Sequence, residues 1–371
     1  MRMIIILCYN AESSFSNCSN LIQCLPMQWF NIVALQPKFS RSALAFQPRS
    51  LLLLAAIAIG LGGCIDNTPS SPTAVSPSPQ SSSLNSPKLQ VVTTFIPITN
   101  FTKAVAGDRA EVSQLLPPNV GPHDYQAKPE DIQKLAKAQV LVENGLGMEE
   151  FLDDLVANAG NPHLKVVDSS QGIKTITQIT EPKHQNLETE KEHDHGEFNP
   201  HIYLDPKRAM QQVDNIRDGL IAADPAGKET YTANAAAYRL KLKQLDTEIS
   251  QKLKPFVGKT FVTYHDFAPY FAQSYNLKTD YLVGIPEENA APEDVKRVIK
   301  AVEKSNLKTL LTEPETAGSP FSALAKDLKV QISTFDPLEK SDAKGLESDY
   351  YLTKMRQNLN HLKSAFTGQP R

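Results

Sequence analysis

Residues 231–253 read YTANAAAYRLKLKQLDTEISQKL. Within this stretch Tyr231, Ala235, Tyr238, Leu242, Leu245, Ile249 and Leu253 follow one another in steps of four and three without a break. That spacing puts all of them on one face of an α-helix. Pro255 ends the run, because its ring lacks an N–H and clashes with the preceding turn. At 1.5 Å per residue the helix would extend about 40 Å, longer than one small lobe needs. A coiled-coil seam has the same spacing, but three heptads is marginal for one. The reading adopted is a stiff strut packed across two lobes.

The flanks of this helix support that reading. On its N-terminal side Leu89–Phe95 is a β-branched run and a strand, Pro97–Ala106 reads as a helix, and Ala110–Leu116 as a second strand. Pro129-Glu130-Asp131 starts another helix, with proline at its first position and acids in its first turn. Val140–Glu143 and Leu164–Asp168 are further strands. On the C-terminal side the plan recurs. Phe261–Tyr264 is a strand, Pro292-Glu293-Asp294 opens a helix, and Leu307–Leu311 and Val330–Phe335 are strands. Strands alternating with helices predict parallel α/β layers, and 371 residues allow roughly two domains of about 150. The expected fold class is α/β, with two lobes of mainly parallel sheet bridged by one long α-helix. The expected boundaries are 88–224 for the N-terminal lobe, 225–254 for the linking helix and 255–371 for the C-terminal lobe.

Upstream of the lobes the chain changes character. The most apolar run, Leu51–Leu61, follows Arg41 and Arg49 and precedes Gly62-Gly63-Cys64. A positive flank, a short apolar core and small residues at its end describe a secretory signal. The run is too short to cross a bilayer, which takes about 20 apolar residues. Leu61-Gly62-Gly63-Cys64 resembles a bacterial lipobox, whose Cys becomes the lipidated N-terminus of the mature protein. Cys8, Cys18 and Cys24 precede the signal core, so Cys64 would be left alone and no intrachain disulfide could form. Residues 1–63 are expected to be a leader, its unusual length reflecting a start placed too far upstream. Residues 64–87 carry the anchor and a Ser/Pro-rich stretch that cannot bury enough to fold, and so serve as a flexible tether. The expected location is outside the cytoplasm, in the periplasm or at the cell surface, held to the membrane by lipid.

Composition narrows the chemistry only a little. A formal net charge of −3 offers no basic field for nucleic acid, so no nucleic-acid partner is expected. The informative residues are three histidines at punctuated turns: His123 in Gly-Pro-His-Asp-Tyr, His201 in Asn-Pro-His-Ile-Tyr and His265 in Thr-Tyr-His-Asp-Phe. Neutral imidazole is the commonest protein ligand for a transition metal. The short spacing of a zinc finger is absent, so only tertiary structure could bring these loops together. His265 and Asp336 directly follow strands, where ligands of α/β sheets bind. Asp124 and Asp266, each next to a candidate ligand, are possible acceptors for its second ring N–H.

Six stretches carry a more specific resemblance. They are Pro122-His-Asp-Tyr125, Glu143-Asn-Gly-Leu-Gly-Met-Glu-Glu-Phe151, Asn199-Pro-His-Ile-Tyr-Leu-Asp-Pro206, Tyr264-His-Asp-Phe-Ala-Pro-Tyr-Phe271, Thr312-Glu-Pro314 and Phe335-Asp-Pro-Leu338. In this order the chain resembles the solute-binding proteins of zinc and manganese ABC importers, the zinc-uptake branch in particular. The resemblance implies a metal in the cleft between the lobes, with His123 and His201 from the first lobe and His265 and Asp336 from the second. It also implies that Lys191-Glu-His-Asp-His-Gly-Glu197, with His184 upstream, stands where zinc members carry a His- and acid-rich loop. His184, His193 and His195 would then form a weak auxiliary metal site. Three imidazoles and one carboxylate suit Zn²⁺, whereas Mn²⁺ prefers more oxygen, and the manganese branch usually has Glu where His265 stands. The implied partners are an ABC permease with its ATPase, and the implied state is a monomer that captures Zn²⁺ and does no catalysis. The alternatives are a manganese-specific member of the same family and a zinc hydrolase with an open water position. The chain lacks the His-Glu-x-x-His pattern of many such hydrolases.

Overall fold

The computed structural model describes residues 88–177, 197–284, 290–314 and 320–368. The leader, Cys64, the tether, and His184, His193 and His195 lie outside the described residues. The chain opens with β1 (Leu89–Thr93), α1 (Ile96–Ala106), β2 (Ala110–Gln114), α2 (Pro129–Lys137), β3 (Val140–Glu143), α3 (Leu152–Ala159) and β4 (Lys165–Asp168). Two long helices follow, α4 (Pro206–Ala223) and α5 (Lys228–Leu253). The second lobe comprises β5 (Thr260–His265), α6 (Pro269–Ser274), β6 (Lys278–Val283), α7 (Pro292–Ser305), β7 (Thr309–Thr312), α8 (Pro320–Asp327), β8 (Gln331–Thr334) and α9 (Tyr350–Thr367).

Each lobe holds a four-stranded sheet with every pairing parallel, ordered β2-β1-β3-β4 in the first and β6-β5-β7-β8 in the second. The two orders are the same plan used twice. In both, the first strand lies inside the sheet and the chain steps to one side and then the other. The reversal opens a crevice beyond the carboxyl ends of the central strands, and His265 is the last residue of β5. The two Pro-Glu-Asp helix starts also prove equivalent in detail. The Asp131 carboxylate accepts from the Lys128 N–H at 2.9 Å, and the Asp294 carboxylate from the Ala291 N–H at 3.0 Å. Each thus satisfies a backbone donor that a helix start leaves unpaired.

Helix α5 buries the stripe that its sequence marks out. Tyr231, Ala235, Tyr238, Leu242, Leu245, Ile249 and Leu253 are all buried. The helix packs on α1 and α4 of the first lobe and on α9 of the second. Polar ties run to both sides: Asn234 donates to the Val105 carbonyl at 3.0 Å, and Arg356 of α9 donates to Glu248 at 3.0 Å. A hydrophobic cluster continues through all four helices, so the strut is part of the core. Strand ends differ from the expected ones by one or two residues, and β2 stops at Gln114 short of Leu116. Among the described residues, no helix is long and apolar enough to cross a membrane.

Candidate metal centre

Three of the expected residues meet. His123, His201 and His265 converge with Glu339, and one ligand-type atom from each lies within 4.8 Å of all the others. Each loop is shaped locally to do this. His123 lies in a short 3-10 turn, Pro122–Asp124, beyond β2. The Ser341 N–H donates to the Pro118 carbonyl at 2.7 Å, which fastens this loop to the segment carrying Glu339. His201 follows Pro200, whose carbonyl accepts from Asn144 at 2.9 Å. His265 sits at the end of β5, with its own carbonyl accepting from Thr263 at 2.8 Å.

The ring orientations follow from what holds the Nδ1 atoms. Asn199 Oδ1 lies 3.1 Å from both the backbone nitrogen and Nδ1 of His201. Glu313 Oε1 lies 2.6 Å from Nδ1 of His265. Amide and carboxylate oxygens can only accept, so in both rings Nδ1 carries the hydrogen when the ring is neutral and the Nε2 lone pair faces the centre. Asp266 does not take the expected place beside His265. It accepts from Asn199 instead, through its backbone carbonyl at 2.7 Å and its carboxylate at 3.3 Å. The Asp124 side chain lies outside what the structure describes.

Asp336 is not a member of the group, and the correction has a clear cause. Its carboxylate accepts from the Leu338 N–H at 2.8 Å and from Lys354 Nζ at 2.8 Å. Its backbone N–H and carbonyl are both bound by the Asn358 amide, at 2.9 and 2.7 Å. Asp336 is therefore committed to building a turn. That turn carries Leu338 into the left-handed region at φ +63° and delivers Glu339 to the cleft. Glu339 Oε1 lies 3.0 Å from Nε2 of His201, 3.5 Å from that of His265 and 3.7 Å from that of His123. Sequence reasoning placed an acid in this segment but stopped three residues early. No periodicity or spacing marks Glu339, and the only hint was the Asx-type turn signal of Asp336-Pro337.

The electrostatics are those of a largely buried, charge-bearing cluster. His201 is fully buried, and that burial pushes its imidazole down to about 3 despite the neighbouring Glu339. Burial also opposes charge on His265, but the carboxylates of Glu313 and Glu339 outweigh it and hold that imidazole well above the usual histidine value. Burial would raise the Glu339 carboxyl, yet His265 and His123 hold it well below the usual range. Phe267 packs edge-on against the His265 ring at 4.9 Å and Tyr203 lies 6.0 Å from that of His201, so the walls are aromatic.

The donor set suits a small tetrahedral cation. A tetrahedron with metal–ligand bonds of about 2.0–2.1 Å has edges of about 3.3–3.4 Å. The Nε2 atoms of His123 and His201 are 3.4 Å apart and those of His201 and His265 are 3.3 Å apart. The distances to Glu339 bracket the same value.

Two parallel α/β lobes, a helical strut and a cluster of three imidazoles and a carboxylate between the lobes together define a two-lobed binding protein with a metal-competent cleft. Residues 91–365 match the family model described as zinc-uptake complex component A, periplasmic, and the chain belongs to that family. It is 32% identical over 286 residues to the zinc-binding lipoprotein AdcA of Streptococcus pneumoniae R6, a match covering 74% of this chain and 55% of AdcA. It is 30% identical over 283 residues to the high-affinity zinc uptake system protein ZnuA of Bacillus subtilis 168, covering 75% of this chain and 88% of ZnuA. The crystal structure of Zn(II)-bound AdcA from Streptococcus pneumoniae superposes with a TM-score of 0.62 at 29% identity, over 75% of this chain and 57% of that one. The chain thus spans just over half the length of the streptococcal AdcA relatives that it matches.

Proposed function

We propose that this protein captures Zn²⁺ outside the cytoplasm through His123, His201, His265 and Glu339, and hands it to an ABC-type permease driven by its ATPase. The observation that carries the reading is that five separations among the three Nε2 atoms and one carboxylate oxygen lie between 3.0 and 3.7 Å, around the edge length of a zinc tetrahedron. Three nitrogens and one oxygen favour zinc over manganese, which takes more oxygen donors. A fourth protein donor fills the position that a zinc hydrolase keeps open for water, so capture accounts for the set better than catalysis. Family membership and the zinc-binding relatives support the same reading. In this reading the signal-like run ending at Cys64 anchors the protein by lipid, and the body works as a monomer. His184, His193 and His195 supply a weak auxiliary site.

The test is isothermal titration of the full chain with Zn²⁺ and with Mn²⁺, beside the His201→Ala variant. One tight zinc site, weaker manganese and loss of the tight site in the variant are expected. Tighter manganese than zinc, or zinc binding indifferent to His201, would reject the proposal. Deleting Lys183 to Glu197 should remove only weak sites and leave the tight one.

A further inference from the structure

The stretch Thr312-Glu313-Pro314 has no part in the four-donor group, yet Glu313 makes the shortest polar contact to any of its histidines. The strand register explains how it comes to be there. Thr263 of β5 pairs with Leu311 of β7 in parallel. Two residues further along each strand, on the same face, stand His265 and Glu313. Pro314 biases Glu313 towards extended backbone, which continues the line of β7 past its last paired residue. The carboxylate therefore meets the Nδ1 edge of the ring, at 2.6 Å, in a place where the imidazole is fully buried and the acid nearly so.

The rings of His201 and His265 are not held alike. His201 gives its Nδ1–H to a neutral amide, Asn199. His265 gives its own to a carboxylate. A hydrogen bond to an ionised acceptor is shorter and about twice as strong as a neutral one. It also draws the ring proton outward, so that more negative charge resides on the opposite nitrogen. Glu313 and Glu339 both come from the second lobe.

We propose that Glu313 is a positioning residue for metal capture: it fixes the ring of His265 with Nε2 towards the centre and makes that nitrogen a stronger donor than Nε2 of His201. The proposal rests on the zinc site proposed above. It assigns Glu313 no direct contact with the ion.

Two variants of the full chain separate charge from geometry. Glu313→Gln keeps an accepting oxygen and removes the charge. Glu313→Met removes both at similar volume. Zinc affinity is read by competition with a chromogenic chelator, and donor strength by the visible absorption of the Co²⁺-loaded protein. Partners of metal-bound histidines typically change affinity by about 10–100-fold. The expected result is a loss near the lower bound for Glu313→Gln and near the upper bound for Glu313→Met, each with a shifted Co²⁺ spectrum. The neutral His265 ring should keep its hydrogen on Nδ1 in Glu313→Gln and lose that preference in Glu313→Met, as read by ¹⁵N NMR of the metal-free protein at alkaline pH, where the imidazole has given up its second proton. Wild-type affinity and spectrum in Glu313→Met would overturn the proposal. So would an affinity loss with an unchanged spectrum and a matching drop in metal-free thermal stability, since that marks a packing role. Failure of the wild type to bind zinc tightly would reject the zinc site itself, a result distinct from either.

Discussion

At Leu338 the backbone enters the left-handed region, held there by Asp336, and Glu339 is thereby carried into the cleft. The two acids should therefore respond oppositely to substitution. Glu339→Gln is expected to weaken zinc binding at least about 100-fold, the loss of a charged donor from a buried set, with the metal-free protein still folded. Asp336→Ala removes acceptors from Leu338 and Lys354, and should cost about 1–3 kcal/mol of stability in thermal unfolding. The pH dependence belongs to this scale too. Zinc needs neutral imidazole. His265 without metal is held protonated well above the usual histidine range, so on the acid side of that value zinc must displace a proton. Apparent affinity should then fall about tenfold per pH unit as pH drops through neutrality, measured by chelator competition. His201, pushed down to about 3, should add nothing to that slope above pH ~4.

Among the elements, α5 carries the most concentrated packing. Leu245 is fully buried near its middle, and Leu245→Ala should cost about 2–5 kcal/mol in chemical denaturation while leaving zinc affinity within a few-fold. The end of β3 shows a cost of a different kind. Burial, then the charges of Glu149, Asp168 and Asp153, push the Glu143 carboxyl from 4.5 up to about 8. Between those two values the folded protein binds a proton that the unfolded chain has lost, so stability falls as pH rises. Glu143→Gln should therefore raise stability by about 1–3 kcal/mol at pH ~8.5, and the gain should vanish near pH ~4.5, as followed by thermal unfolding.

Among the described residues the largest hydrophobic cluster runs from the first lobe through α5 into α9, and a second cluster around Val262, Leu310 and Phe321 fills the other lobe. A strut packed on both lobes restricts closure to small rotations or to movement of the ligand loops. Zinc should change the radius of gyration little in solution scattering; a large hinge closure would contradict the packing of α5. Zinc binding only to the folded state should raise the thermal midpoint with concentration, by about 2.7 kcal/mol of stability at 100 times the dissociation constant. Stripping with chelator should leave the protein folded, because much of its buried apolar surface lies along α1, α4, α5 and α9.

Much of this architecture was legible along the chain because it depends on short-range periodicity. The 4-3 stripe of α5, the two Pro-Glu-Asp helix starts and the β-branched runs of β1, β3 and β5 each carry their signal within a few residues. Helix α9 was overlooked although Tyr351, Met355, Leu359 and Leu362 share a face. His123, His201 and His265 could be named from their turns and from a family resemblance. Glu339 could not, nor could the roles of Glu313 and Asn199, although both lie in stretches that carry the resemblance. Each is chosen by a relation between segments distant in sequence: the register of β5 on β7, the turn that Asp336 builds, and the approach of the Asn199 loop to Asp266. The amino-acid sequence by itself determined the lobes and the strut and marked three imidazoles as candidates, because helices, strands and turns form from neighbouring residues. Which carboxylate completes the set, and which acceptor orients each ring, only the tertiary structure decided, because such distances exist only after the two sheets have packed around the common helix.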